Sequence, residues 1–125
     1  MNAPNDIISR YIQCYNSRDI DGMLECVTED VVFENISNTG QSMRFEGREA
    51  MGEIARLSGN AFSYRHQKIL NFIINGDHAS AEVAFEAKAA VDLPTGAKAG
   101  DMIQLRGASF FELRGGLLSR IADYS

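Results

Sequence analysis

The stretch Ala79-Ser80-Ala81-Glu82-Val83-Ala84-Phe85-Glu86-Ala87-Lys88-Ala89-Ala90-Val91-Asp92-Leu93 decides the architecture. Its odd positions are Ala, Ala, Val, Phe, Ala, Ala, Val and Leu, while Glu82, Glu86, Lys88 and Asp92 hold even ones. A period of two sends alternate side chains to opposite faces, so a long strand with one apolar face is predicted over 79–93. On its N-terminal side, Asn75-Gly76-Asp77 is hairpin chemistry and joins it to a preceding strand from Ser63 to Asn75. On its C-terminal side, Pro94 to Gly100 reads as a loop and Met102 to Arg114 as a third long strand. Gly115-Gly116 then turns the chain into a returning strand from Leu117 to Tyr124. Four such runs predict an antiparallel meander.

Upstream of the meander the apolar period is mostly 3.6. Ile8, Tyr11, Ile12 and Tyr15 predict a helix over 6–16, with Asn5 or Asp6 as its N-cap. Asp19 opens a shorter helix carrying Ile20, Met23, Leu24 and Val27 and ending near Thr28. Val31 to Ile36 is β-branched and aromatic and reads as a strand, stopped by Ser37-Asn38-Thr39-Gly40. Arg44 to Glu46 suits a short strand or extended segment, and Gly47 precedes a third helix with Ala50, Met51, Ile54 and Ala55, closed by Gly59-Asn60. Three N-terminal helices packed on one face of a curved, mostly antiparallel sheet make an α+β domain. Small strand residues such as Ala84, Ala87, Ala89, Gly107 and Ala108 leave the concave side underfilled, which predicts a pocket. No repeat or linker divides residues 1–125, so one domain is expected.

The 125 residues bury roughly two-thirds of their unfolded surface on folding, enough for one unstapled core. Apolar residues at 45% and charged residues at 23% fit a globular chain. The net charge of −5, with Lys and Arg scattered singly, argues against binding to nucleic acid or anionic membranes. Residues 1–6 lack the basic and apolar regions of a targeting peptide, and the apolar run at 69–74 is too short to span a bilayer, so a cytoplasmic protein is expected. Cys14 and Cys26 have no metal-ligand spacing and read as reduced thiols; His66 and His78 have no partner at ligand spacing. Neither metal nor cofactor is expected.

Six segments carry a family resemblance: Arg10-Tyr11-Ile12, Asp19-Ile20-Asp21, Thr28-Glu29-Asp30-Val31-Val32-Phe33-Glu34-Asn35, Gly47-Arg48-Glu49-Ala50, Phe111-Glu112-Leu113-Arg114-Gly115-Gly116 and Ala122-Asp123-Tyr124. In this order and spacing, over nearly the whole chain, they resemble the SnoaL-like branch of the nuclear transport factor 2-like superfamily. The resemblance implies a cone-shaped α+β fold, often a homodimer through its sheet, with a pocket between the first helix, the first strand and the inner sheet face. Isomerases, epoxide hydrolases, polyketide cyclases and non-catalytic modules share that fold.

Against ketosteroid isomerases, Tyr11 falls on the oxyanion-hole tyrosine, Asn35 on the catalytic base and Gly107 on the second, protonated aspartate. Asn35 cannot take a proton near neutrality and Gly107 donates no side-chain hydrogen bond, so that mechanism lacks two of its parts. Against limonene-type epoxide hydrolases, Asn35 falls on the asparagine that positions water and Asp123 on one of two aspartates. There Phe33 replaces the water-binding tyrosine, and Glu86-x-Lys88 stands where an Arg-x-Asp pair is expected. SnoaL-like cyclases use one inward carboxylate as base, a part that Asp123 can take if desolvation raises its pKa.

The same residues have plainer readings. Asp123 can be a solvated strand-end carboxylate, Asn35 a turn residue bonded to its own backbone, and Tyr11 and Tyr15 core aromatics. Glu86 and Lys88 point into the pocket only if the odd face of their strand makes a dimer contact; if that face packs under the helices they point outward. The expected function is a cofactor-independent acid/base enzyme of isomerase, cyclase or hydrolase type acting on a small hydrophobic oxygenated molecule. Asp123, Asn35 and Tyr11 would be its catalytic group, and Tyr15, Phe33, Glu86 and Lys88 its substrate contacts. The alternative is a non-catalytic ligand-binding or dimerisation module. A homodimer is expected on either reading, because a sheet with apolar residues on both faces needs cover on its convex side.

Overall fold

The computed structural model describes residues 4–38 and 40–125, Pro4 and Asn5 by backbone alone. Residues 1–3, read above for targeting signals, and Thr39 of the loop lie outside the described residues. The elements run α1 (Pro4–Asn16), α2 (Ile20–Glu25), β1 (Val27–Ile36), β2 (Met43–Glu46), α3 (Arg48–Gly59), β3 (Phe62–Asn75), β4 (His78–Ala89), β5 (Met102–Arg114) and β6 (Leu117–Tyr124). Asn5 and Asp6 therefore lie inside the first turn of α1 instead of capping it, where the Asp6 carboxylate complements the helix dipole. Asp19 does cap α2, its side chain accepting the Gly22 N–H at 2.9 Å.

One six-stranded sheet, ordered β2-β1-β6-β5-β4-β3, carries the fold. Every neighbouring pair is antiparallel except β1 and β6, which run parallel. Two strand boundaries differ from the sequence reading by several residues. Val27 and Thr28 belong to β1, not to the second helix, because Val27 pairs with Leu118 in the parallel ladder. At the other end β4 stops at Ala89: the Asp92 carboxylate turns back to accept the Ala99 N–H at 3.0 Å, and the Leu93 N–H bonds the Ala97 carbonyl, closing a loop.

The apolar face of the decisive stretch is the inner one. Ala79, Ala81, Val83, Ala87 and Ala89 are buried, and the first three share one core with Ile7, Ile8, Tyr11 and Ile12 of α1, Met23 of α2, Met51 of α3 and Phe111 of β5. This settles the orientation of Glu86 and Lys88. They stand on the opposite face, Glu86 accepting a hydrogen bond from Gln104 Nε2 at 3.2 Å and Lys88 exposed. Neither reaches the cavity, because packing the alanine and valine methyls beneath the helices costs no desolvated charge, whereas the opposite register would bury both ions.

Candidate active site

A cavity of about 390 Å³ lies between the inner sheet face, α1 and α3. Tyr11, Tyr15, Met23, Phe33, Met51, Ile54, Phe62, Val83 and Phe85 supply most of its apolar wall, and Arg65, Gln67, Ser109, Asn35 and Asp123 supply side-chain polar groups. The exposed lining residues Asn35, Met43, Thr95, Leu105 and Ser125 mark where it meets solvent.

Sheet register places Asp123. On β6 it pairs with Ser109 of β5 on one side and Asn35 of β1 on the other, so three polar side chains come from adjacent strands. Ser109 is 4% exposed and its Oγ donates to Asp123 Oδ1 at 2.6 Å. Removal from water pushes the Asp123 pKa up to about 6, against the Ser109 hydrogen bond, which favours the ionised form. Among the described residues no cation offsets the desolvation. Asn35 lies exposed at the rim, beside Asp123 and Met43 in the ladder. Phe33, two residues earlier, lines the wall with its ring 6.5 Å from that of Phe45.

Tyr11 is 3% exposed, one of four α1 residues in the core, and burial holds its pKa well above the phenolic value, with the Asp123 charge adding to the rise and Arg65 opposing it. The hydroxyl thus keeps its proton and can donate. Tyr15, one turn on, is also raised by burial, with Arg65 the main opposing influence. Its ring lies under the Arg65 guanidinium, 4.1 Å from centroid to Cζ. Asn16 fixes this end of α1 on β3 by bonding both backbone groups of Gln67, Nδ2 to the carbonyl at 3.0 Å and Oδ1 from the N–H at 2.8 Å.

Arg65, Gln67 and Ser109 are the site residues that the sequence reading did not single out. Arg65 is 4% exposed, and neither Nε nor Nη2 has a hydrogen-bond partner. Its ladder partner Ala87 offers only a methyl, which leaves room for the guanidinium on the inner face. Ser109 carried a legible signal, being the one hydroxyl in the row Ile103, Leu105, Gly107, Ser109, Phe111, Leu113. Gly107 lines the cavity through its backbone; a Cβ there would run into the Tyr124 carbonyl oxygen, so no side chain can project from this position. Among the described residues no three His, Cys, Asp or Glu side chains gather as a metal site would require.

The model of the SnoaL-like domain matches residues 8–121. No curated protein matches the chain. Among solved structures, a candidate polyketide cyclase from Xanthomonas campestris pv. campestris superposes with a TM-score of 0.79 at 22% identity, over 97% of this chain and 88% of that one. A second candidate polyketide cyclase, from Silicibacter sp. TM1040, is 26% identical with a TM-score of 0.76, over 96% and 86% of the two chains. An epoxide hydrolase of M. tuberculosis, similar to limonene epoxide hydrolase, gives 0.75 at 18% identity, over 95% and 79%. The family match runs from α1 into β6, ending two residues before Asp123, and these structures share the fold; the chain belongs to the SnoaL-like domain family of the nuclear transport factor 2-like superfamily.

Proposed function

We propose that the chain is a cofactor-independent acid/base enzyme whose Asp123 takes a proton from the carbon beside a carbonyl of a small, mainly hydrophobic oxygenated molecule. One observation carries the reading: a carboxylate set in a largely apolar cavity of about 390 Å³, desolvated to a pKa of about 6 and held by a single neutral hydroxyl. Such a group is ionised near pH 7 yet more basic than an exposed aspartate, which suits a general base. In the step, the C–H pair moves into the carbonyl, the proton goes to Asp123, and the new enolate oxygen accepts a hydrogen bond from Tyr11. Return of the proton to another carbon completes an isomerisation; attack of the enolate carbon on a second carbonyl of the same molecule, with the proton passing from Asp123 to the alkoxide so formed, completes a cyclisation. Asn35 orients the substrate at the rim, and Phe33 and Tyr15 contact its apolar body. The cone-shaped enclosure keeps water from the enolate.

The test is hydrogen exchange. Small ketones and β-keto esters incubated with the protein in D₂O should gain deuterium at the α-carbon, and Asp123→Asn should slow this by about 10²- to 10⁴-fold. Equal exchange in both chains, or none with any member of the panel, would move the reading to a ligand-binding module of the same fold.

A homodimer through the outer sheet face is part of the proposal. Ile73, Ser80, Phe110 and Ala122 lie side by side across β3, β4, β5 and β6 on that face, with Ile73 68% and Phe110 45% exposed. Sedimentation should show a dimer at micromolar concentration, and a monomer there refutes it. Cys14 and Cys26 are free thiols, which supports a cytoplasmic setting. No helix among the described residues is long and apolar enough to cross a membrane.

A further inference from the structure

The geometry points to a substrate that carries a carboxylate, with the buried Arg65 guanidinium as its anchor in the cavity. This deepens, and rests on, the reading of the cavity as a substrate site. Arginine remains charged at any pH the protein meets, and a buried cation without an anion is retained at a cost to stability. Arg65 is buried to 4% exposure on the cavity wall, and among the described residues no carboxylate forms an ion pair with it. Every other arginine with a described ion pair holds it near the surface, as Arg10 does with Glu25 and Arg120 with Glu34 and Glu112.

What the protein gives Arg65 is neutral. The Tyr15 ring stacks on it, and the Tyr11 and Tyr15 hydroxyls, both protonated, lie within its field. Its Nε and Nη2 have no acceptor. Nor does Asp123 serve as counter-ion, since its only described bond is to Ser109, on the strands across the cavity. The aromatic stack orients the guanidinium, and the Asn16 clamp fixes the β3 backbone two residues on, before any ligand arrives. A preorganised, uncompensated cation in an apolar cavity selects an anionic oxygen group on an apolar body. A planar carboxylate is the group whose two oxygens match a guanidinium edge.

Calorimetry at pH 8 with 3-phenylpropanoate, its amide and its methyl ester tests this. The wild-type chain should bind the carboxylate about 10- to 100-fold more tightly than the amide or ester, the range for a charged hydrogen-bonded partner. In Arg65→Gln the three probes should bind alike, and Arg65→Lys should keep part of the preference. Equal binding by the wild type, no carboxylate binding at millimolar concentration, or an undiminished preference in Arg65→Gln overturns the inference. The wild-type comparison decides even if the variants do not fold. Asp123→Asn should retain the preference. A wild-type chain that shows the preference but no deuterium exchange therefore counts against the base alone, and one that shows exchange without the preference counts against the anchor alone.

Discussion

Asp123→Asn should make the protein more stable at neutral pH, and the gain should vanish in acid. In the native chain the carboxyl titrates at about 6, and in the unfolded chain at roughly 3.9. Between those values the native state holds the proton more often than the unfolded state does. Stability from this group is therefore fully present below about pH 4, is lost as pH rises through about 6, and levels off above 7. Two pKa units correspond to about 3 kcal/mol, an upper figure because some solvent reaches this half-buried side chain. Asparagine occupies the same volume, can still accept the Ser109 hydrogen bond, and does not titrate. Every other carboxylate is common to both chains, so their contributions largely cancel in the difference. Urea unfolding of both proteins from pH 4 to 8 should show the asparagine variant gaining up to about 3 kcal/mol on the wild type across that range. A difference that stays flat to within about 0.5 kcal/mol would mean that Asp123 is solvated like a surface carboxylate, and the case for a base would fall with it.

Ser109→Ala removes the hydrogen bond that favours the charged form, so the Asp123 midpoint should rise above about 6 by the equivalent of about 1–2 kcal/mol, read from the carboxyl carbon shift in an NMR titration. Glu86→Gln and Lys88→Met lie on the outer face, so each should leave probe binding and deuterium exchange unchanged and alter stability by no more than about 0.5 kcal/mol; a loss of binding in either would contradict the orientation of β4.

The alternation at 79–89 was legible because one face had to be apolar, and its parity alone oriented the sheet once the helices were known to cover the odd positions. Tyr11, Asn35, Phe33 and Tyr15 lay on helical or strand spacing that carried them to the cavity, and Asp123 shares the parity of the buried Ile121. Arg65 was hidden by a register shift. From Arg65 to Ile69 the inward residues of β3 are odd-numbered, but Phe62, before one register shift, faces Ala89, and after the second shift, between Ile69 and Asn71, the partners of Ala81 and Ala79 are Phe72 and Ile74. The run Ile69-Leu70-Asn71-Phe72-Ile73-Ile74 is mainly apolar in either phase, with Asn71 the single polar residue, so period-two counting back from it assigns Arg65 to either face. The start of β1 was obscured for a different reason. Val27 satisfies the α2 stripe as well as a strand, and the choice is made by pairing with Leu118, ninety-one positions away in sequence (118 − 27), which no local pattern can see.

The placement of charge in the cavity follows from what each wall can tolerate. A guanidinium beside Asp123 would stabilise the carboxylate, draw its pKa down and take away the basicity that the proposed proton transfer needs. Among the described residues the carboxylate bonds only the Ser109 hydroxyl, and the one buried cation lining the cavity, Arg65, stands on β3, near α1. Tyr11 feels both charges, raised by Asp123 and lowered by Arg65, and so marks the path between them. On the β5 wall the Tyr124 carbonyl occupies the space that a side chain at position 107 would need, so no acid can be mounted there to share an oxyanion with Tyr11. Negative charge leaving Asp123 can then be met by Tyr11 on α1 and Arg65 on β3. In the proposed reaction the substrate must accordingly lie with its C–H toward β6 and its oxygens toward Tyr11 and Arg65, an orientation that separates the base from the anion it creates.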